Sequence, residues 1–285
     1  MPEKMGKHTP YFELVDAQSM AGCPICRLVF KATDRYLDGI LWEAVLDSDV
    51  RAKLKASQGF CGEHVDMLRR TPGRALGIAL IYRDIIRALA EKTDAALFQG
   101  DRSPWRRLLG KAHHSEQVVA DLSATVPCPA CKIGEQAADN YIDLLLAYVD
   151  DPQLAEAYAQ GEGLCLPHFL QAIERAESQK MLEHLIGPQV ARYRRMLDDL
   201  DEFIRKRDHR FRHEKYGEEG DVWLRTMNTI VGGRRLGAER RHRRAPRGRL
   251  VGRKSLTWRA SITQPLTARS WTSRLPRARW PHIAA

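Results

Sequence analysis

No stretch of this 285-residue sequence is apolar for long enough to cross a bilayer. The longest near-apolar runs are ALGIALIY at 75–82 and LLLAYV at 144–149. The N-terminus, MPEKMGKHTPYFELVDAQSM, is charged and has no apolar core followed by a small-residue cleavage site, so no secretory signal is read from it. The expectation is a soluble cytoplasmic protein with no membrane partner. Enzyme signatures are also missing. The sequence has no glycine-rich phosphate loop, no nucleophile elbow and no His-Glu-x-x-His motif, which argues against the reaction classes those motifs serve.

Acid is scarce in one place only. Residues 234–285 hold fifteen Lys and Arg against the single Glu239, a local charge of +14. The whole chain carries +10, so residues 1–233 carry −4 and are mildly acidic. The basic character therefore says little about what the folded part binds. The segment 233–285 has no helical stripe and is expected to lie outside the fold. One reading is a disordered Arg-rich arm that contacts nucleic acid. Its Arg, Ala, Pro and Gly content favours the other, translation out of frame from a GC-rich gene.

Cysteine is used sparingly and in pattern. All six occur in two copies of one frame: Cys23, Cys26, Cys61 and His64, then Cys128, Cys131, Cys165 and His168. The inner gaps are 34 and 33 residues. Shifting the first copy by 105 aligns Tyr36 with Tyr141 and Asp38 with Asp143, which suggests an internal repeat. In a reducing compartment such thiols point to metal rather than to disulfides. Residues at i and i+3 on a helical turn can offer two donors to one cation, and Cys3His is a structural zinc set. The prolines Pro24, Pro129 and Pro167 fit first helical turns, whose dipole favours thiolates. We expect two zinc ions per chain, with Cys23/Cys26/Cys61/His64 and Cys128/Cys131/Cys165/His168 as separate sites. Pairing across the two copies and an iron–sulfur cluster are the alternatives. A redox dithiol fits less well, because no βαβ pattern surrounds the motifs.

The intervening text is helical. DSD at 47–49 and DDP at 150–152 read as breaks and N-caps for short helices that Gly59 and Gly161–Gly163 end. Longer third helices are expected over roughly 65–90 and 169–205. In the latter Val190, Tyr193, Leu197, Leu200 and Ile204 recur at steps of three and four, a stripe read as ordinary core. Near 221–232, Trp223, Met227, Ile230 and Val231 would dock a closing helix on the bundle. His113, His114, His184, His209 and His213 are read as surface, and Glu63 as a first-turn residue rather than a general base.

The stretches GCPICRL, GFCGEHVDML, ALGIALIYRDII, CPAC and GLCLPHF resemble an uncharacterised family of bacterial and archaeal proteins known only as a domain of unknown function. The resemblance covers about residues 10–232. It implies that the eight ligands belong to a whole-protein pattern, and it supplies no activity. The expected architecture is all-α: a metal-knotted unit over 1–91, a linker over 92–127, a second unit with the closing helix over 128–232, and the tail. The expected role is a non-enzymatic zinc-binding adaptor or scaffold with a protein partner bound on the third helices. A metal-thiolate redox or iron–sulfur sensor and a nucleic-acid-binding regulator are the other classes considered.

Overall fold

The structure is a computed structural model that describes residues 7–70, 73–101 and 112–233. The basic tail lies outside the described residues, as do positions 102–111 of the linker and the side chains of His113 and His114. Among the described residues the chain is all-α. There are eleven α-helices, one 3-10 turn and no strand. None of these helices is long and apolar enough to cross a membrane.

The frame of the molecule is a pair of long helices, α2 (Pro24–Glu43) and α7 (Pro129–Ala147), packed along each other. They run antiparallel. Ile25 and Leu28 at the start of α2 share a core with Ala138, Ile142 and Leu145 toward the end of α7. Leu37, Ile40 and Leu41 at the end of α2 share the other core with Ala130 at the start of α7. Gly134 permits the close approach, since a Cβ there would lie 3.3 Å from both Val29 Cγ1 and Thr33 Cγ2. Ile25 and Ile142 are fully buried, each contributing about 1.5–3 kcal/mol by leaving water.

Around this pair the two halves of the chain lay down matching pieces. The first core takes α1 (Thr9–Gln18), α8 (Pro152–Gln160), α9 (Leu166–Glu174) and the start of α10 (Gln179–Arg207). The second takes α3 (Ser48–Ala56), α4 (Gly62–Arg69) and α5 (Ala75–Asp101). The expected N-caps are present. The Asp47 side chain accepts from the Val50 N–H and that of Asp151 from the Leu154 N–H, which starts α3 and α8. Asp151 is further engaged by the Tyr11 hydroxyl and by Lys7, tying α8 to α1.

Three sequence expectations need correction. Each long third helix is two helices, α4 then α5 and α9 then α10. The first break falls between Arg69 and Ala75, where Gly73 has a φ of 79° that suits glycine. The second falls where Ser178 recaps the chain by accepting from the Met181 N–H. Second, α5 runs to Asp101 and α6 (Ala112–Leu122) follows, so much of 92–127 is helical. Third, the apolar stripe of α10 is not core. The buried face is Leu185, Gln189 and Arg192, one residue out of step, while Leu197 and Ile204 are 59% and 64% exposed. The closing helix α11 (Val222–Val231) behaves likewise: Val222 is buried, and Trp223, Met227, Ile230 and Val231 face outward. It follows a 3-10 turn at Glu218–Asp221 and is joined to α10 by Arg225, which pairs with Asp199 at 2.9 Å.

Candidate metal centres

The four ligand motifs have one local design. Cys23, Cys61, Cys128 and Cys165 are the N-cap residues of α2, α4, α7 and α9. The second donor of each motif, Cys26, His64, Cys131 or His168, sits one turn in. A helix start leaves free N–H groups and the positive end of the dipole at the sulfurs. Pro24, Pro129 and Pro167 occupy first-turn positions where no N–H is lost to the helix, as expected.

The motifs do not pair as the sequence order suggested. Cys23 and Cys26 join Cys165 and His168, and Cys61 and His64 join Cys128 and Cys131. Each cluster thus takes one motif from each half of the chain. Helix lengths give the reason. At about 1.5 Å per residue, α2 and α7 carry the chain roughly 30 Å away from their starting cysteines, whereas α3 and α8 return it by less than half of that. The Cys-x-x-His motif is left at the far end of its own long helix. Antiparallel packing of α2 on α7 puts the start of the other long helix there.

Within each cluster the donor atoms all lie within 4.8 Å of one another. In the first, Cys26 Sγ is 3.6 Å from Cys165 Sγ, and His168 Nδ1 is 3.6, 3.4 and 3.2 Å from the sulfurs of Cys23, Cys26 and Cys165. In the second, Cys61 Sγ is 3.6 Å from Cys131 Sγ, and His64 Nδ1 is 3.1, 3.7 and 3.6 Å from those of Cys61, Cys128 and Cys131. No cysteine is in a disulfide. Either group could hold a metal ion.

Their electrostatics differ. In the first cluster burial opposes ionisation of Cys23, but its contacts with Cys165, Cys26 and His168 override this and hold it well below the usual thiol range. Cys165 and Cys23, together with burial, push Cys26 far up. Burial works against the His168 imidazolium, yet Cys165 and Cys23 hold its pKa up at about 9. In the second cluster burial and then the Cys61 contact push Cys131 up to about 12, and burial lowers His64. Crowded sulfurs cannot all ionise beside one another; a bound cation would take the place of their protons.

Residues that the sequence reading passed over position the first cluster. Gln189 accepts from the Leu164 N–H and donates to the Leu164 carbonyl, at 3.2 and 3.0 Å, fixing the residue before Cys165. Arg192 donates to the Gly161 carbonyl at 2.7 Å. Gly163, at φ 80°, lies so close to both side chains that a Cβ would come within 2.7 Å of them. Gly232, just past α11, lies beside the sulfurs: a Cβ on it would be 3.6 Å from Cys165 Sγ and from Cys26 Sγ. In the second cluster Gly59, at φ 91°, takes the place of Gly163 and packs on Tyr82 of α5. The repeated glycine two residues before each Cys-x-x-His motif was the available signal.

The other titratable residues named from sequence are not among the clustered donors. Glu63, between Cys61 and His64 in the first turn of α4, is exposed. His209 and His213 are exposed, and His184 is half-buried beside Asp150.

The chain is 23% identical over 216 residues to an uncharacterized 23.9 kDa protein in the xynA 3′ region of Caldicellulosiruptor sp. (strain Rt8B.4), covering 74% of this chain and 95% of that protein. No solved structure matches it. The match that extends over the whole described body is to a family of unknown function, DUF6062, whose pattern fits residues 7–236, and the chain belongs to that family.

Proposed function

We propose that this protein is a zinc-held helical adaptor or scaffold with no catalytic activity of its own, and that it binds two zinc ions per chain. One ion is held by Cys23, Cys26, Cys165 and His168, the other by Cys61, His64, Cys128 and Cys131. The observation that carries this reading is the crossed pairing of the clusters. Each ion would join a motif of one half to a motif of the other, so the pair of ions would clamp α2 against α7 from both ends.

The donor spacing supports zinc. For a tetrahedral ion with Zn–S near 2.3 Å and Zn–N near 2.0–2.1 Å, the edges come to about 3.8 Å between sulfurs and about 3.6 Å from sulfur to nitrogen. The distances of 3.1–3.7 Å given above fit one shared ion. A polynuclear iron–sulfur cluster places its thiolates on different irons and spreads them further apart. Four protein donors fill the tetrahedron, whereas a catalytic zinc keeps a position for water. Matched helices, matched aspartate caps and matched glycines support a duplicated unit whose halves have exchanged ligands.

Metal analysis with a visible spectrum on anaerobically purified protein is the test. Two zinc ions per chain and a colourless solution support the proposal. Visible charge-transfer absorption with bound iron contradicts the metal, and turnover at a metal with an exchangeable water contradicts the adaptor.

A further inference from the structure

The exposed stripe of α10 has a geometry that an ordinary solvated helix face lacks. Ile186, Val190, Tyr193, Leu197, Leu200 and Ile204 follow one another at steps of four, three, four, three and four, the spacing of a coiled-coil seam. The stripe spans roughly 27 Å of helix. Ile186, Val190, Leu197 and Ile204 are 40%, 37%, 59% and 64% exposed, and Tyr193 and Leu200 are half-buried. The buried face of the same helix lies about 100° away, so the stripe is a second apolar face. An exposed apolar strip of this length marks an interaction site.

The charges beside the seam identify the occupant. On its outer edge stand Arg194 and, one heptad later, Asp201, both exposed; none of the ion pairs among the described residues involves either. The inner edge carries Met196 and Phe203 instead. In an antiparallel pair of such helices, equivalent edges meet. Leu197 would pack against Leu200 of the partner subunit, and Tyr193 against Ile204 of the partner subunit. Arg194 would then lie within reach of Asp201 of the partner subunit, and the two-fold axis makes that pair twice. A parallel arrangement sets Arg194 beside no acid. We propose that this protein forms an antiparallel dimer through residues 186–204 of α10, the occupant of the stripe being a second copy of the chain. A two-fold interface needs a surface complementary to itself, and this edge is. The inference goes beyond the zinc-held adaptor and does not depend on which metal is bound.

Sedimentation equilibrium of the full-length metal-loaded chain tests it. The wild type is expected at twice the chain mass. Leu197→Glu places two carboxylates in the seam and should raise the dimer dissociation constant by roughly a hundred-fold or more. Arg194→Asp should raise it by roughly three- to ten-fold, and Arg194→Asp/Asp201→Arg should restore it. All three substitutions lie at exposed positions, so unchanged helical content by circular dichroism separates lost association from lost folding. A monomeric wild type, a dimer indifferent to Leu197→Glu, or a charge exchange that fails to restore association overturns the proposal. The monomeric result would leave the stripe to a different protein. Metal content is read on the same samples, so failure of the zinc reading is seen separately.

Discussion

Gly134 is the point at which the α2–α7 contact can be tested by adding single carbon atoms. It is buried in the second turn of α7, and a Cβ there would meet Val29 Cγ1 and Thr33 Cγ2 at 3.3 Å each. Neither neighbour can turn away freely. The Thr33 hydroxyl is held by the carbonyls of Val29 and Phe30 at 3.0 Å, which fixes the direction of its methyl. Val29 is β-branched and has one strongly preferred rotamer in a helix. Gly134→Ala therefore combines a helix-propensity gain of about 1 kcal/mol with a tight contact of similar size, and the expected net change is within about 1 kcal/mol. Gly134→Val adds two more carbons with no room and should destabilise by about 1–3 kcal/mol. Gly39 on α2 is the control. A Cβ there meets nothing within 4 Å, so Gly39→Ala should stabilise by about 0.5–1 kcal/mol. Urea unfolding of the metal-loaded proteins reads all three. If Gly134→Val is as stable as wild type, the close approach of α2 and α7 is wrong.

Two further predictions concern the loops and caps. Gln189→Leu leaves the buried Leu164 N–H and carbonyl without partners and should cost about 1–3 kcal/mol, with faster chelator release of one metal ion and unchanged release of the other; equal effects on both ions would refute its role at the first cluster. Hydrogen bonds from Lys7 and Tyr11 hold the Asp151 carboxyl down at about 2. A depressed folded-state pKa means stability that is present above the unfolded value near 4 and lost as pH falls toward 2. Asp151→Ala should thus cost about 1–2 kcal/mol at neutral pH, with the gap to wild type closing over that window; a gap unchanged down to pH 2 would show that the carboxylate charge contributes nothing.

Most helices and the eight Cys and His residues of the two clusters could be read from the sequence, because the information is local. A cysteine followed by proline at a helix start, an aspartate cap and a glycine before Cys61 or Cys165 act over a few residues. Ligand pairing is not local. It depends on α2 being about twice as long as α3, and on the direction in which α7 packs, so equal spacing suggested the wrong partner for each motif. The α10 stripe misled for another reason. The buried face contains Gln189 and Arg192, which are kept there by hydrogen bonds to the Gly161–Leu164 loop, so apolarity pointed to the adjacent, outward face. On α11, burial of Val222 alone similarly outweighs Trp223 and Met227 on the exposed side.

The crossed clusters are tested most directly by counting metal ions in a double variant, Cys26→Ser/Cys165→Ser. If Cys26 and Cys165, 3.6 Å apart, serve the same ion, the variant loses one ion and keeps the other at wild-type affinity. The companion Cys26→Ser/Cys61→Ser then loses both. Pairing within each half of the chain predicts the reverse: the first variant would lose both ions and the second only one.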